Sequence, residues 1–280
     1  MTLIKLIKKL LGIPNEQIVD ATFRSVEEAP IKFHSLTQNG NSSFFTTTIE
    51  YKTDGFLKEK TIEKVFDFAY RMTFDNEGEH RSTRSGGSHD RTNGEKFANT
   101  FQGKVAECAA CNFFYKYDQS VYPDFKVLKL GEWDTVDLTV NGREIAVKST
   151  KHFGQLLMLE TKDWDSKGRY IPNVGQKCAE YDAIMLVRMK PSCEDILKKH
   201  RLFYSDHVEK NDLYKLLANY KWSYNFVGFI TRSDLIELNK QNQIINKGVL
   251  LNGRTKMDAQ NYYIQAGDLR SMKEYDTLFN

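Results

Sequence analysis

Asp137, Glu144 and Lys148 lie close together in the stretch DLTVNGREIAVKST, residues 137–150. A carboxylate and an ammonium held on one surface are the equipment of acid–base and phosphate chemistry. A small apolar residue, Ala146, stands where another polar group would complete that set. The positions follow from the turn. Asn141-Gly142 between two alternating apolar runs is a strong hairpin signal, because a type I′ turn needs two residues that tolerate positive φ. With these two as the loop, Val140 faces Arg143, Asp137 faces Ala146 and Lys148 faces Thr135.

Side chains alternate along a strand, so this register sorts the hairpin into two faces. Leu138, Val140, Ile145 and Val147 form an apolar side that is expected to be buried. Asp137, Thr139, Glu144, Ala146 and Lys148 form the other side. A one-residue slip would bury Asp137 and Lys148 and expose four aliphatic residues, so the register is well specified.

The rest of the chain limits what these residues can be. At 280 residues it can bury a substantial core without disulfides. Four cysteines, no secretory leader and no apolar run near about 18 residues point to a soluble, cytoplasmic protein without a membrane span. The start MTLIKLIKKLLGI is amphipathic and reads as a short surface helix. Cys108 and Cys111 have C-x-x-C spacing, but no second close pair follows, so they read as small buried residues on a helix.

A net charge of +3 makes no whole-molecule case for a polyanionic partner. The local distribution says more. Residues 79–96, EHRSTRSGGSHDRTNGEK, place Arg81, Arg84 and Arg91 among Gly, Ser, Thr and Asn. That composition is expected to form a loop, and its arginines suit phosphate contacts and guanine reading. His89 and Asn93 lack the metal-ligand partners that a His/Asn nuclease motif requires. The loop suggests a division into an N-terminal segment, residues 1–94, possessing this DNA-recognition element, and a core with a C-terminal extension, residues 95–280.

Within the core the order of elements is informative. Residues 94–117 have apolar positions at helical spacing and form a long buried helix, with Glu107 inside it in need of a partner. A strand FKVLKLG, the Asn-Gly hairpin, a polar excursion and a short helix near Gln176 to Glu180 follow. YDAIMLVRM, residues 181–189, is a continuous apolar run of the kind buried on both faces. YNFVGFITRSDLIEL adds a buried strand and a helix with Ser233 as N-cap. Before the core, FFTTTIEY is strand-like and KEKTIEKVFDFAYRMTF helical. The sum is an α/β fold.

In this order, with an acid in the first helix and Asp and Lys on adjacent strands, residues 95–190 resemble the PD-(D/E)XK nuclease superfamily, the restriction-endonuclease-like fold. The resemblance implies a core of helix, three-stranded meander, helix and strand, and a type II restriction endonuclease or defence nuclease that hydrolyses double-stranded DNA with Mg²⁺. Asp137 matches the first acid, Val147 the middle of the acid-any-Lys triplet and Lys148 its lysine. The implied metal ligands are Asp137, residue 146, the Val147 carbonyl and Glu107, and Lys148 would orient the attacking water.

The triplet's acid is missing, because residue 146 is alanine. Magnesium takes one or two carboxylates besides water and phosphate oxygens, and Ala146 removes half of such a pair. Three readings stay open: an engineered acid-to-alanine change that impairs catalysis, a naturally degenerate noncatalytic DNA-binding or interaction protein, and migration of the acid to Glu144. Asp124 of YPDF and Asp134 compete with Asp137 but lack its register. Lys151, Gln155 and Gln176 follow near the site, and Lys151 joins the candidate DNA contacts. Trp164 is placed either to stack on a base or to pack in its loop. Asn252-Gly253, with Arg254 and Lys256 beyond, predicts a second hairpin closing the sheet edge. Cutting both strands of a palindrome would call for a two-fold homodimer.

Overall fold

The computed structural model describes residues 31–75, 91–118, 120–126, 137–173 and 180–275. Its strands in chain order are β1 (Thr37–Asn39), β2 (Ser42–Phe44), β3 (Gly55–Phe56), β4 (Leu138–Val140), β5 (Arg143–Lys151), β6 (Leu156–Glu160), β7 (Ala183–Lys190), β8 (Ser223–Thr231), β9 (Ile244–Ile245), β10 (Leu250–Leu251), β11 (Thr255–Lys256) and β12 (Asn261–Gln265). The helices are α1 (Glu59–Thr73), α2 (Asn93–Phe114), α3 (Cys193–Lys199), α4 (Lys210–Ala218) and α5 (Arg232–Lys240). The architecture is mixed α/β.

A five-stranded sheet, ordered β3-β8-β7-β5-β4, occupies the centre. β5 runs parallel to β7, and the other neighbouring pairs are antiparallel. The hairpin register matches the expectation: Leu138, Thr139 and Val140 face Ile145, Glu144 and Arg143. Asn141 (φ 48°) and Gly142 (φ 77°) turn it with two left-handed residues, as a type I′ loop requires.

Both faces of the sheet are covered. On one, α1 and α2 bury Leu138, Val140, Ile145, Met185 and Val187 in the larger core cluster. α2 starts at a capping box, in which Thr92 and Glu95 exchange side-chain and backbone bonds. Cys108 and Cys111 are buried on it, their thiols pushed up to about 12 chiefly by burial. Neutral thiols are poor zinc ligands. On the other face, β6, β12 and α5 cover Ala146, Ile184, Leu186 and Ile230. The second hairpin face is therefore not open to solvent at Ala146, contrary to the polar surface its parity suggests.

Several expectations are corrected. The C-terminal hairpin forms, with Asn252 (φ 50°) and Gly253 (φ 67°) at its tip, but it joins β1 and β2 in a separate small sheet and does not close the edge of the central one. α5 is capped by Thr231, with Asp234 completing the box, and not by Ser233. In FFTTTIEY only Phe44 is in a strand. Phe125 and Lys126 are not in a strand, and residues 127–131 of FKVLKLG lie outside the described residues. Most of the helix expected near Gln176 to Glu180 also lies outside them, and Glu180 itself bridges to Arg169. The described part of the N-terminal segment shares its sheets with the core, β3 pairing with β8 and β2 with β10.

Candidate functional site

β5 is paired to β4 only as far as Ile145, and among the described residues the next positions have no strand neighbour on that side. The Val147 N–H donates to Asp137 Oδ2 at 2.7 Å. Asp137 thus continues the ladder with its side chain and satisfies a backbone donor that the short β4 does not reach. β5 and β6 then diverge from the turn at residues 152–155. Between them lies a cavity of about 410 Å³, lined by Lys148, Ser149 and Thr150 from β5 and by residues 156–160 of β6. Trp164, Tyr170 and Leu186 add an apolar wall, and Asp163 adds a second acid beside Glu160.

Lys148, Glu160 and Asp163 all line this cavity. Asp137 and Glu107 are not among its lining residues. Glu107 stands on α2, ion-paired with Lys104, which also lies over the Phe68 ring. α2 covers the Ile145 face of the sheet, whereas Lys148 lines the cavity with Leu186 of the opposite core cluster. The expected convergence of Glu107 with Asp137 and Lys148 therefore gives way to a local i, i+3 pair, the partner its burial called for. Glu144 accepts from Thr139 Oγ1 at 2.9 Å beside the hairpin turn, well along the strand from Lys148.

Glu160 went unnoticed in the sequence because LLMLE reads as an apolar strand ending in a charge. Its side chain is 15% exposed, and its buried Oε2 lies 3.3 Å from Lys162 Nζ with no well-aligned hydrogen bond among the described residues. Burial raises its carboxyl above the usual carboxylate range; Asp163 and Asp258 push the same way, against the lowering effect of Lys162. A desolvated acid beside like charges, held by an amine that is itself 58% exposed, is a fitting hard-cation donor. The originally expected ligand set fits magnesium less well: Ala146 has no donor atom, and one Asp137 oxygen is committed to Val147. Among the described residues no group of three His, Cys, Asp or Glu side chains converges as a metal site, so the cavity itself offers two carboxylates.

Ala146 is 1% exposed and shares a cluster with Leu157, Leu159 and Ile184. A longer acidic side chain there meets both crowding and desolvation. Ala146→Glu is expected to cost roughly 2–4 kcal/mol in urea unfolding, and a variant as stable as the parent would show that the site has room for the acid.

The remaining expected residues divide clearly. Arg81, Arg84, Asp134 and Gln176 lie outside the described residues. Arg91 is half-buried beside the Thr92 cap. Lys151 pairs with Asp195 at 2.7 Å and Glu194 at 3.2 Å. Trp164 is buried against Tyr170 and Tyr181, which removes it from base stacking. Gln155 accepts from Arg188 Nη2 and from the Ile49 N–H, and donates to the Ile49 carbonyl. No helix among the described residues is long and apolar enough to cross a membrane. No protein-family model, curated protein or solved structure matches the chain.

Proposed function

We propose that the protein is a Mg²⁺-dependent endonuclease acting on double-stranded DNA, built on a restriction-endonuclease-like core, with its reactive centre in the cleft between β5 and β6. The single observation behind this reading is the cavity whose lining Lys148 shares with Glu160 and Asp163. The sheet is compatible with it: an acid-bearing β4 antiparallel to β5, β5 parallel to β7, and α2 across one face.

Glu160 and Asp163 would hold the ion, which would supply Lewis-acid charge to a phosphate oxygen and acidify a bound water. Lys148 places an ammonium on the same cleft, where it orients that water and stabilises the extra negative charge of the attacked phosphate. Asp137 holds the Val147 backbone and so fixes the strand from which Lys148 projects. In this arrangement it is a positioning residue, and the acid missing at 146 is supplied from β6. Cutting both strands would use two copies of the chain.

The test is Mg²⁺-dependent cleavage of supercoiled and linear duplex DNA by the purified chain, with Lys148→Ala and Glu160→Gln alongside. Cleavage lost in both variants supports the reading. Cleavage that survives in both removes it. A second reading, a noncatalytic DNA-binding protein on the same fold, is favoured by one observation: Ala146 is packed as a core residue. Duplex binding with no cutting by the parent, by Ala146→Asp or by Ala146→Glu would select it.

Glu160→Gln also has a stability signature. A carboxyl raised in the folded state disfavours folding once it ionises, so stability falls as pH rises from the unfolded carboxyl's value through the folded one. Above that window Glu160→Gln is expected to melt at or above the parent temperature while losing activity. A lower melting temperature at neutral pH would count against Glu160 as a strained, functional acid.

A further inference from the structure

A second, larger groove of about 800 Å³ adjoins the Lys148 cavity and shares Ser149, Thr150, Leu156 and Met158 with it. One wall is α2, presenting Asn99 and Gln102. The other is the tip of the β10–β11 hairpin, presenting Asn252 and Arg254. Phe153, 62% exposed at the β5–β6 turn, stands between them. Gly154 follows it because a Cβ at that position would collide with the Thr150 side chain.

We propose that this groove is the surface through which the protein reads the base edges of duplex DNA. The inference rests on the nuclease reading for the identity of the partner. Its own support is fourfold. Side-chain amides and a guanidinium are the groups that pair bidentately with adenine and guanine in the major groove. The β10–β11 hairpin forms the edge of its four-stranded sheet, and its left-handed Asn252-Gly253 tip leaves Arg254 exposed where its fork can reach a base edge. An exposed aromatic ring can stack on a base or wedge between steps. The buried charge behind the lining residue Gln155 has the required sign.

That last point comes from Arg188. It is fully buried in β7, donating to the Ile49 carbonyl at 2.8 Å and to Gln155 Oε1 at 3.0 Å, and no carboxylate pairs with it among the described residues. Gln155 in turn lines the groove. An arginine keeps its proton under all ordinary conditions. Arg188 does not itself line the groove but stands behind Gln155, and a buried cation with no carboxylate partner among the described residues favours an anion nearby. Arg254 likewise has no carboxylate partner among the described residues. Glu194 also lines the groove, but Lys151 and Lys198 pair with it.

The experiment uses the full chain in EDTA, which separates binding from cutting. Selection from a randomised duplex pool is expected to enrich a defined sequence. Arg254→Ala, Gln102→Ala and Phe153→Ala are each expected to weaken binding to the selected duplex by about 5- to 100-fold in fluorescence anisotropy, with a much smaller loss on unselected duplex. Arg254→Lys keeps the charge but not the fork, so it should bind unselected duplex normally and lose preference for the selected one. Unchanged melting temperatures will show that these substitutions leave the fold intact.

Equal losses on selected and unselected duplex would mean phosphate contacts only and would overturn base reading, as would wild-type affinity in all four variants. Lys148→Ala keeps the two proposals apart, since it should select the same sequence as the parent. If the parent selects a sequence through these residues but never cuts it with Mg²⁺, the nuclease reading falls and the groove stands. If it cuts without selecting, the groove falls alone, and a chain that neither binds nor cuts removes both.

Discussion

Lys148→Ala is expected to lower Mg²⁺-dependent cleavage of duplex DNA by about 10²–10⁴-fold while leaving duplex affinity in EDTA little changed. The size follows from where the charge develops. Phosphoryl transfer is accelerated mainly by positioning and electrostatic stabilisation, and these act strongly in a water-poor cleft. Lys148 lines a cavity walled by Trp164, Tyr170 and Leu186, so its removal takes away a cation that the neighbourhood does not replace. Lys162, which pairs with Glu160, is largely exposed. Single-turnover cleavage measures the effect directly. A loss that appears equally in binding would show that Lys148 is a phosphate anchor and not part of the reaction.

Glu160→Gln is the companion variant, because it keeps the shape of the side chain and removes its charge. Only the ionised carboxyl ligates a cation, so its raised value should displace the acid limb of cleavage above that of an ordinary carboxylate. Extra Mg²⁺ should partly compensate on that limb. An acid limb at the ordinary carboxylate value, or one insensitive to Mg²⁺ concentration, would assign the ion to other residues.

Local patterns made part of this site legible. Asn141-Gly142 and the alternation around it were enough to set the pairing of Leu138, Thr139 and Val140 with Ile145, Glu144 and Arg143, since a type I′ turn leaves one register for the apolar residues. The apolar spacing made α2 equally plain, and the need of Glu107 for a partner is met three residues away by Lys104. What was not legible depends on pairing across long separations. β6 and β12 join residues a hundred positions apart, Glu160 opposite Asn261, and neither segment announces the other. That layer buries Ala146 and forms one side of the Lys148 cavity. The hairpin parity therefore identified the lysine correctly as a face residue but could not say what faces it.

The layer opposite the cavity's wall depends on one buried ion pair, and breaking it is expected to have the largest effect on stability. Arg270 Nε and Nη2 donate to the two oxygens of Asp234 at 2.7 Å each, with the side chains only 6% and 4% exposed. Asp234 also accepts from the Thr231 N–H at the start of α5. Arg270 exchanges backbone hydrogen bonds with Phe229, where Gly228 (φ 155°) has no side chain to strike the Arg270 carbonyl. The pair thus ties α5, β8 and the chain after β12 into one joint over the cluster that contains Ala146 and Trp164. Arg270→Met fills a similar volume but leaves the Asp234 carboxylate buried without its cation, at a cost of about 3–5 kcal/mol. Asp234→Asn combined with Arg270→Met should recover much of that loss, because the stranded charge is then gone. Urea unfolding of the single and double variants decides the matter. A double variant as unstable as Arg270→Met alone would show that packing of the arginine stem, and not the stranded charge, holds the joint together.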